Sequence, residues 1–238
     1  MKAIIIGATS GIGRELATIL SGEGYVVGIT GRRTELLNSL QSSLPGECFT
    51  SEMDLSDINQ SVAALNTLID DMKGIDLIII SSGTGSIDPA YPLQSDLDTI
   101  AVNVTGFTAM ANVAYHYFSE QGKGHIVGIS SIAAVRGGPA ASYNASKAYV
   151  SSYLEGLACR IHSQGKPITV TDVRPGFVDT AMAQGEGIFW RAPVEKAASQ
   201  IIEAIKAKKR LVYITKRWRL IAWILKAAPH VLYRRLMS

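Results

Sequence analysis

The chain has 238 residues, 47% of them hydrophobic, which suits one large α/β domain with a sizeable core. Cys48 and Cys159 lie far apart without a CxxC pair, and His116, His125, His162 and His230 form no cluster with metal-ligand spacing. That excludes a disulfide framework and a structural zinc, and it fits a reducing cytoplasm. The net charge of +3 hides an asymmetry: ten Lys or Arg and no acid from residue 204 onward, against thirteen bases and twenty acids before it.

The first element, AIIIG at 3–7, reads as a buried strand, too short for a signal peptide, that runs into Gly7, Gly11, Gly13 and a helix over 12–22. Glycines there allow a sharp turn and bring backbone N–H groups and a helix amino terminus against a phosphate. The spacing is GxxxGxG rather than the commoner GxGxxG, and a purely structural tight turn is the competing reading. A second strand over 25–30 leads to Gly31-Arg32-Arg33, where an NAD site would carry an acid for the ribose hydroxyls. Guanidinium groups instead suit a 2′-phosphate, so NADP(H) is favoured over NAD(H), unless the two arginines are a solvated helix start.

A helix over 34–43 and a short strand at 48–51 precede MDLSD, in which Asp54 meets an adenine edge or, with Ser56, caps the next helix, 56–72. A strand at 75–80, a loop over 81–90, a helix at 94–119 and a strand at 124–130 follow. Ser130-Ser131 at that strand's end offer hydroxyls for a carbonyl oxygen. In the helix over 143–164, Tyr143 and Lys147 stand four residues apart and so share a face, where the ammonium would draw the phenol's acidity toward working pH. Such a pair taken alone is more often innocent; the neighbouring serines and glycine loop change that reading. A strand at 168–173, the turn Arg174–Thr180, a loop over 181–191 with Phe189 and Trp190, a helix at 193–207 and a strand at 210–215 complete the alternation. The pattern implies a Rossmann-type, doubly wound parallel sheet with helices on both faces, a single domain over 1–215, with ligands at the carboxyl ends of the strands.

Residues 216–238 form a basic segment readable as two short amphipathic helices broken at Pro229. It packs beside the substrate pocket or a second subunit, or touches an anionic membrane. Nucleic acid is disfavoured because no reader motif accompanies the charge. No stretch reaches the roughly 20 apolar residues of a membrane span, so the chain is expected to be cytoplasmic or peripheral to the inner face of a membrane.

GATSGIG (7–13), MDLS (53–56), AVNVTG (101–106), IVGISS (126–131), YNASK (143–147) and RPGFVDT (174–180) come in an order and spacing that resembles the compact, single-domain short-chain dehydrogenases/reductases. The resemblance implies that Tyr143 exchanges a proton with a carbonyl or alcohol and that Lys147 holds the nicotinamide ribose while acidifying Tyr143. It further implies that Asn103 holds a proton-relay water, that Ser131 orients the substrate oxygen, and that Thr180 with Pro175 and Gly176 fixes the nicotinamide amide. Thr9, Ser10, Ile12, Leu55, Gly83 and Val178 complete the implied cofactor contacts, with no metal; pairing into a homodimer or homotetramer is also implied.

Two departures stand out. Ile80-Ser81-Ser82-Gly83 replaces the family's NNAG, and the loop from serine to tyrosine is one residue short, so the count back from Tyr143 gives Ser130 while the strand register gives Ser131. The expected activity is hydride transfer between NADP(H) and a carbonyl or alcohol of a small or lipid-like substrate. The rival is a catalytically idle dinucleotide-binding or membrane-associated regulator.

Overall fold

The computed structural model describes residues 1–85, 90–181 and 189–237. Seven strands, β1 (Lys2–Ile6), β2 (Val26–Gly31), β3 (Cys48–Glu52), β4 (Leu77–Ile80), β5 (Gly124–Ile129), β6 (Ile168–Pro175) and β7 (Leu211–Ile214), pair in parallel in the order β3-β2-β1-β4-β5-β6-β7. The connecting helices are α1 (Gly11–Gly22), α2 (Thr34–Ser43), α3 (Ile58–Asp71), α4 (Leu93–Ile100), α5 (Phe107–Gln121), α6 (Ala141–Ser163) and α7 (Val194–Lys206). Two more, α8 (Trp218–Ala227) and α9 (His230–Met237), follow β7 and are separated at Pro229.

The period of two along each strand divides the aliphatic residues between two cores. Ile4, Ile6, Ile78, Ile80 and Ile126 pack with α3, α5 and α6, while Ile5, Leu77, Ile79, Val127 and Ile129 pack with α1, α2 and α7. Register fixes the contacts: Ile5 lies opposite Ile29 on one side and Ile79 on the other. Full burial of each such side chain contributes about 1.5–3 kcal/mol. The chain reverses direction across the sheet between β1 and β4, and the crevice beyond their carboxyl ends is where ligands bind in sheets of this kind.

Three expectations need correction. α3 is capped by Asp57, whose carboxylate accepts the Gln60 N–H at 3.0 Å, and not by Asp54 or Ser56. Asp54 Oδ1 instead accepts the Ser56 N–H at 3.0 Å and the Ser56 hydroxyl at 2.8 Å, closing a turn that delays the helix. The helix expected over 94–119 is interrupted by a wide π turn at Ala101–Gly106, between α4 and α5. Third, the glycine turn starts its helix at Gly11 rather than at residue 12. Residues 86–89 of the expected 81–90 loop and 182–188 of the 181–191 loop lie outside the described residues.

Candidate active site

At the β1 to α1 turn, Gly7 (φ +88°) and Gly11 (φ +56°) occupy left-handed backbone that side chains resist. A Cβ on Gly7 would press into Ser82 and one on Gly13 into the Gly7 carbonyl, so the loop closes tightly only as glycine. A Cβ on Gly11 would stand 3.1 Å from Thr180 Cγ2, which places the end of the 174–180 turn across from the loop. Ser10 precedes α1 without a side-chain cap, leaving the helix amino terminus to an outside acceptor. Thr9 is buried against Gly31, whose missing side chain permits that approach.

The two arginines diverge. Arg33 Nη2 donates to Thr9 Oγ1 at 2.8 Å and Ser10 Oγ at 3.0 Å, laying a guanidinium against the glycine loop. Arg32 acts on Asp54: burial pushes that carboxyl up, but the Ser56 hydrogen bonds and the Arg32 charge together hold it below its usual value. Ile12 is half-buried against the α1 side of the core, and Leu55 is buried with its carbonyl against Gly106. Val178 is buried and pairs with Ala192. The turn, the open helix terminus and the guanidinium make a cradle that fits the phosphates of a dinucleotide.

On the other side of the crevice, the buried face of α6 carries Ser146, Lys147, Val150 and Leu154, with Tyr143 one turn earlier. Ser131 ends β5's extension and accepts the Ala133 N–H at 3.1 Å, and its hydroxyl lies close enough to Tyr143 to favour the phenolate. Ser130 points away: it is hydrogen-bonded to Asp172 Oδ1 and to the Val173 carbonyl at 3.0 Å. The structure therefore brings Ser131, not Ser130, to Tyr143.

The expected acidification of Tyr143 by Lys147 is not the local balance. Lys147 Nζ donates to the Ile129 carbonyl at 2.9 Å and stands 5.8 Å from the Tyr143 ring centroid. Burial pushes the Tyr143 phenol up, and the neighbouring Ser131 hydroxyl draws it back only in part. Burial also brings Lys147 down to about 8, with the Asp172 carboxylate opposing.

Asn103 braces this wall from the π turn. Its Oδ1 accepts the Thr84 N–H at 2.8 Å, and its Nδ2 donates to the Thr84 carbonyl at 2.7 Å and to Ser146 Oγ at 3.0 Å. Both amide hydrogens are used, and Oδ1 keeps one acceptor position. The segment 81–85, where the family's asparagines are absent, thereby crosses the cleft: a Cβ on Gly83 would meet Lys147 Nζ at 2.9 Å, and one on Gly85 would press into the Tyr143 ring.

Sequence reasoning missed Ser146, Asp172 and Asn144. Asp172 Oδ2 accepts from Ser151 Oγ at 2.9 Å and Arg174 Nε at 2.8 Å, so it ties β6 to α6 beneath Ser130. An acid inside the apolar run ITVTDV was the available signal. Asn144 Nδ2 donates to the Ala133 and Arg136 carbonyls, both at 3.1 Å, and fixes the loop that follows Ser131. Phe189 and Trp190 pack around Trp218, at centroid distances of 5.3 and 6.2 Å. A cavity of about 650 Å³ opens on the opposite face of α6, among Ala134, Pro139, Ala145, Ala148, His230 and Tyr233, away from Tyr143.

This fold and crevice have counterparts. The family model for short chain dehydrogenase matches residues 1–188, and the chain belongs to that family of oxidoreductases. An uncharacterized oxidoreductase of Myxococcus xanthus is 33% identical over 186 residues, 76% of this chain and 73% of that one. A serine 3-dehydrogenase of Rhizobium radiobacter is 31% identical over 185 residues, 74% and 72% of the two chains. A short chain dehydrogenase from Burkholderia cenocepacia, solved in complex with NADP, superposes with a TM-score of 0.85 at 25% identity, covering 100% of this chain and 97% of the other.

Proposed function

We propose that this protein is an NADP(H)-dependent oxidoreductase that reduces a carbonyl, or oxidises the corresponding alcohol, in a small or lipid-like molecule. The observation that carries the reading is the placing of Ser131 beside Tyr143, backed by buried Lys147, across the crevice from the glycine loop. The NADP-bound relative and the Arg33 guanidinium on the loop support the choice of cofactor.

When bound, the nicotinamide supplies or accepts the hydride. Tyr143 gives its proton to the substrate oxygen as the adjacent carbon is reduced, and takes it back in the reverse direction. Ser131 holds that oxygen by a second hydrogen bond, and the Lys147 ammonium stabilises the phenolate left behind. The remaining acceptor position on Asn103 Oδ1 suits a relay water that restores the proton. We further infer self-association through the α4 and α6 side, where Leu93, Leu97, Ile100 and Tyr149 are exposed.

The test is turnover of a panel of aldehydes, ketones and acyl thioesters with NADPH by the wild type and Tyr143→Phe. We expect a loss of about 10²–10⁴-fold in kcat from removing the general acid. Equal rates in both proteins overturn the mechanism, and no turnover of any panel member favours the idle regulator.

A further inference from the structure

We propose that the α8–α9 hairpin docks on an anionic lipid bilayer, and that the cleft beside it draws a bilayer-resident carbonyl substrate from that surface; the second part rests on the reductase reading above. Among the described residues no helix is long and apolar enough to cross a membrane, so the contact would be peripheral.

The hairpin is bolted to both walls of the cleft. At the foot of α8, buried Trp218 packs into the space left by Gly176 and meets Phe177 edge-on at 5.4 Å, on the turn that follows β6. At its far end Arg136, from the loop after Ser131, donates to the Leu225 carbonyl at 2.8 Å and the Ala228 carbonyl at 2.6 Å. The same guanidinium lies 4.0 Å from the centroid of the Tyr233 ring, whose hydroxyl bonds the Gly137 carbonyl. Asn144, next to Tyr143, holds the Arg136 carbonyl. A surface that engages the outside of this hairpin is therefore coupled to the loops that follow Ser131 and β6.

That outside is apolar. Leu220, Trp223 and Ile224, at i, i+3 and i+4 on α8, are 60%, 69% and 45% exposed, and Val231 and Leu232 on α9 are exposed as well. Lys216, Arg219 and Lys226 are exposed around the stripe, and no acid occurs from residue 204 to the end. A second copy of this face would set cations against cations, whereas a Trp-bearing apolar stripe flanked by cations complements acyl chains beneath anionic headgroups.

The experiment is co-sedimentation of the full chain with vesicles of phosphatidylcholine alone or mixed with phosphatidylserine, without cofactor, for the wild type and the Leu220→Ser/Trp223→Ser and Arg219→Glu/Lys226→Glu variants, each checked for folding by circular dichroism. We expect the wild type to pellet with the phosphatidylserine vesicles, less at high salt, and each double variant to lose at least about tenfold in partition. A wild type left in the supernatant, or variants that pellet equally, overturn the proposal. So does a variant that instead lowers the protein's solution mass, which would make the face a self-association surface. A second arm compares NADPH-dependent turnover of a long-chain ketone carried in the vesicles with that of a water-soluble ketone. Loss of the first alone in Leu220→Ser/Trp223→Ser is expected, and equal loss of both overturns the substrate claim. No turnover of either by the wild type would sink the reductase reading while leaving the partition result standing.

Discussion

Inside the sheet, β1 and β4 bury only aliphatic groups, Ala3 to Ile6 and Leu77 to Ile80, each at most 2% exposed. Toward the carboxyl edge the buried groups turn polar: Asn103, Ser130, Ser131, Lys147 and Asp172. Apolar burial stabilises in proportion to area, while a buried polar group repays its lost hydration only through hydrogen bonds. The edge meets that condition group by group, with Asn103 on Thr84, Lys147 on Ile129, and Ser130, Ser151 and Arg174 on Asp172. The interior stabilises the molecule. The edge holds functional groups in place, at some expense in stability.

Truncating the interior should produce the largest change in stability. Ile79→Ala, at a position with no exposed surface, should lose about 2–5 kcal/mol in denaturant unfolding while turnover per folded molecule holds. A loss below about 1 kcal/mol would break the contrast. Removing a charge at the edge should act the other way. Lys147 titrates near 8 in the fold against 10.5 unperturbed, so its protonation penalises folding in full below pH 8, and the penalty fades as pH rises to 10.5, where the unfolded chain also releases its proton. Lys147→Met removes that penalty but orphans the Ile129 carbonyl. The net expectation is a gain of about 1–2 kcal/mol near neutrality that shrinks as pH climbs from 8 and turns into a loss of about 1–3 kcal/mol above pH 10.5, where only the orphaned carbonyl counts, together with loss of activity. An unchanged slope of stability against pH between 8 and 10.5 would show that Lys147 is not held in a penalised state.

The same division explains what could be read from the residues alone. Strands and helices of the interior were legible because β-branched runs and helical spacing repeat local physics, and even the short strand at Cys48–Glu52 left a trace. The glycine loop and the Tyr143–Lys147 spacing were legible as patterns. Long-range choices were not. Whether Ser130 or Ser131 faces Tyr143 depends on Asp172, 42 residues beyond Ser130, capturing the first serine. The crossing of the cleft by residues 81–85 depends on Asn103 gripping Thr84, and the sign of the Tyr143 shift depends on burial that no i, i+4 spacing encodes.

Arg32 and Arg33 give the contrast its finest test, because both lie on the exposed surface, where neither apolar burial nor desolvation decides anything. Adjacent residues at the end of a strand point to different neighbours, so the pair cannot share one role equally. Arg33 rests on Thr9 and Ser10, within the loop that would carry the phosphates, and Arg32 serves Asp54. Arg33→Ala should weaken NADPH binding by about tenfold, the worth of a charge-assisted contact at a partly screened site, and change NADH binding by no more than about twofold. Arg32→Ala should do less to NADPH than Arg33→Ala. Titration calorimetry with both cofactors decides it: equal losses for NADPH and NADH would mean that Arg33 merely braces the glycine loop through its two hydroxyl partners, and a larger effect at Arg32 would move the phosphate to the Asp54 side of the crevice.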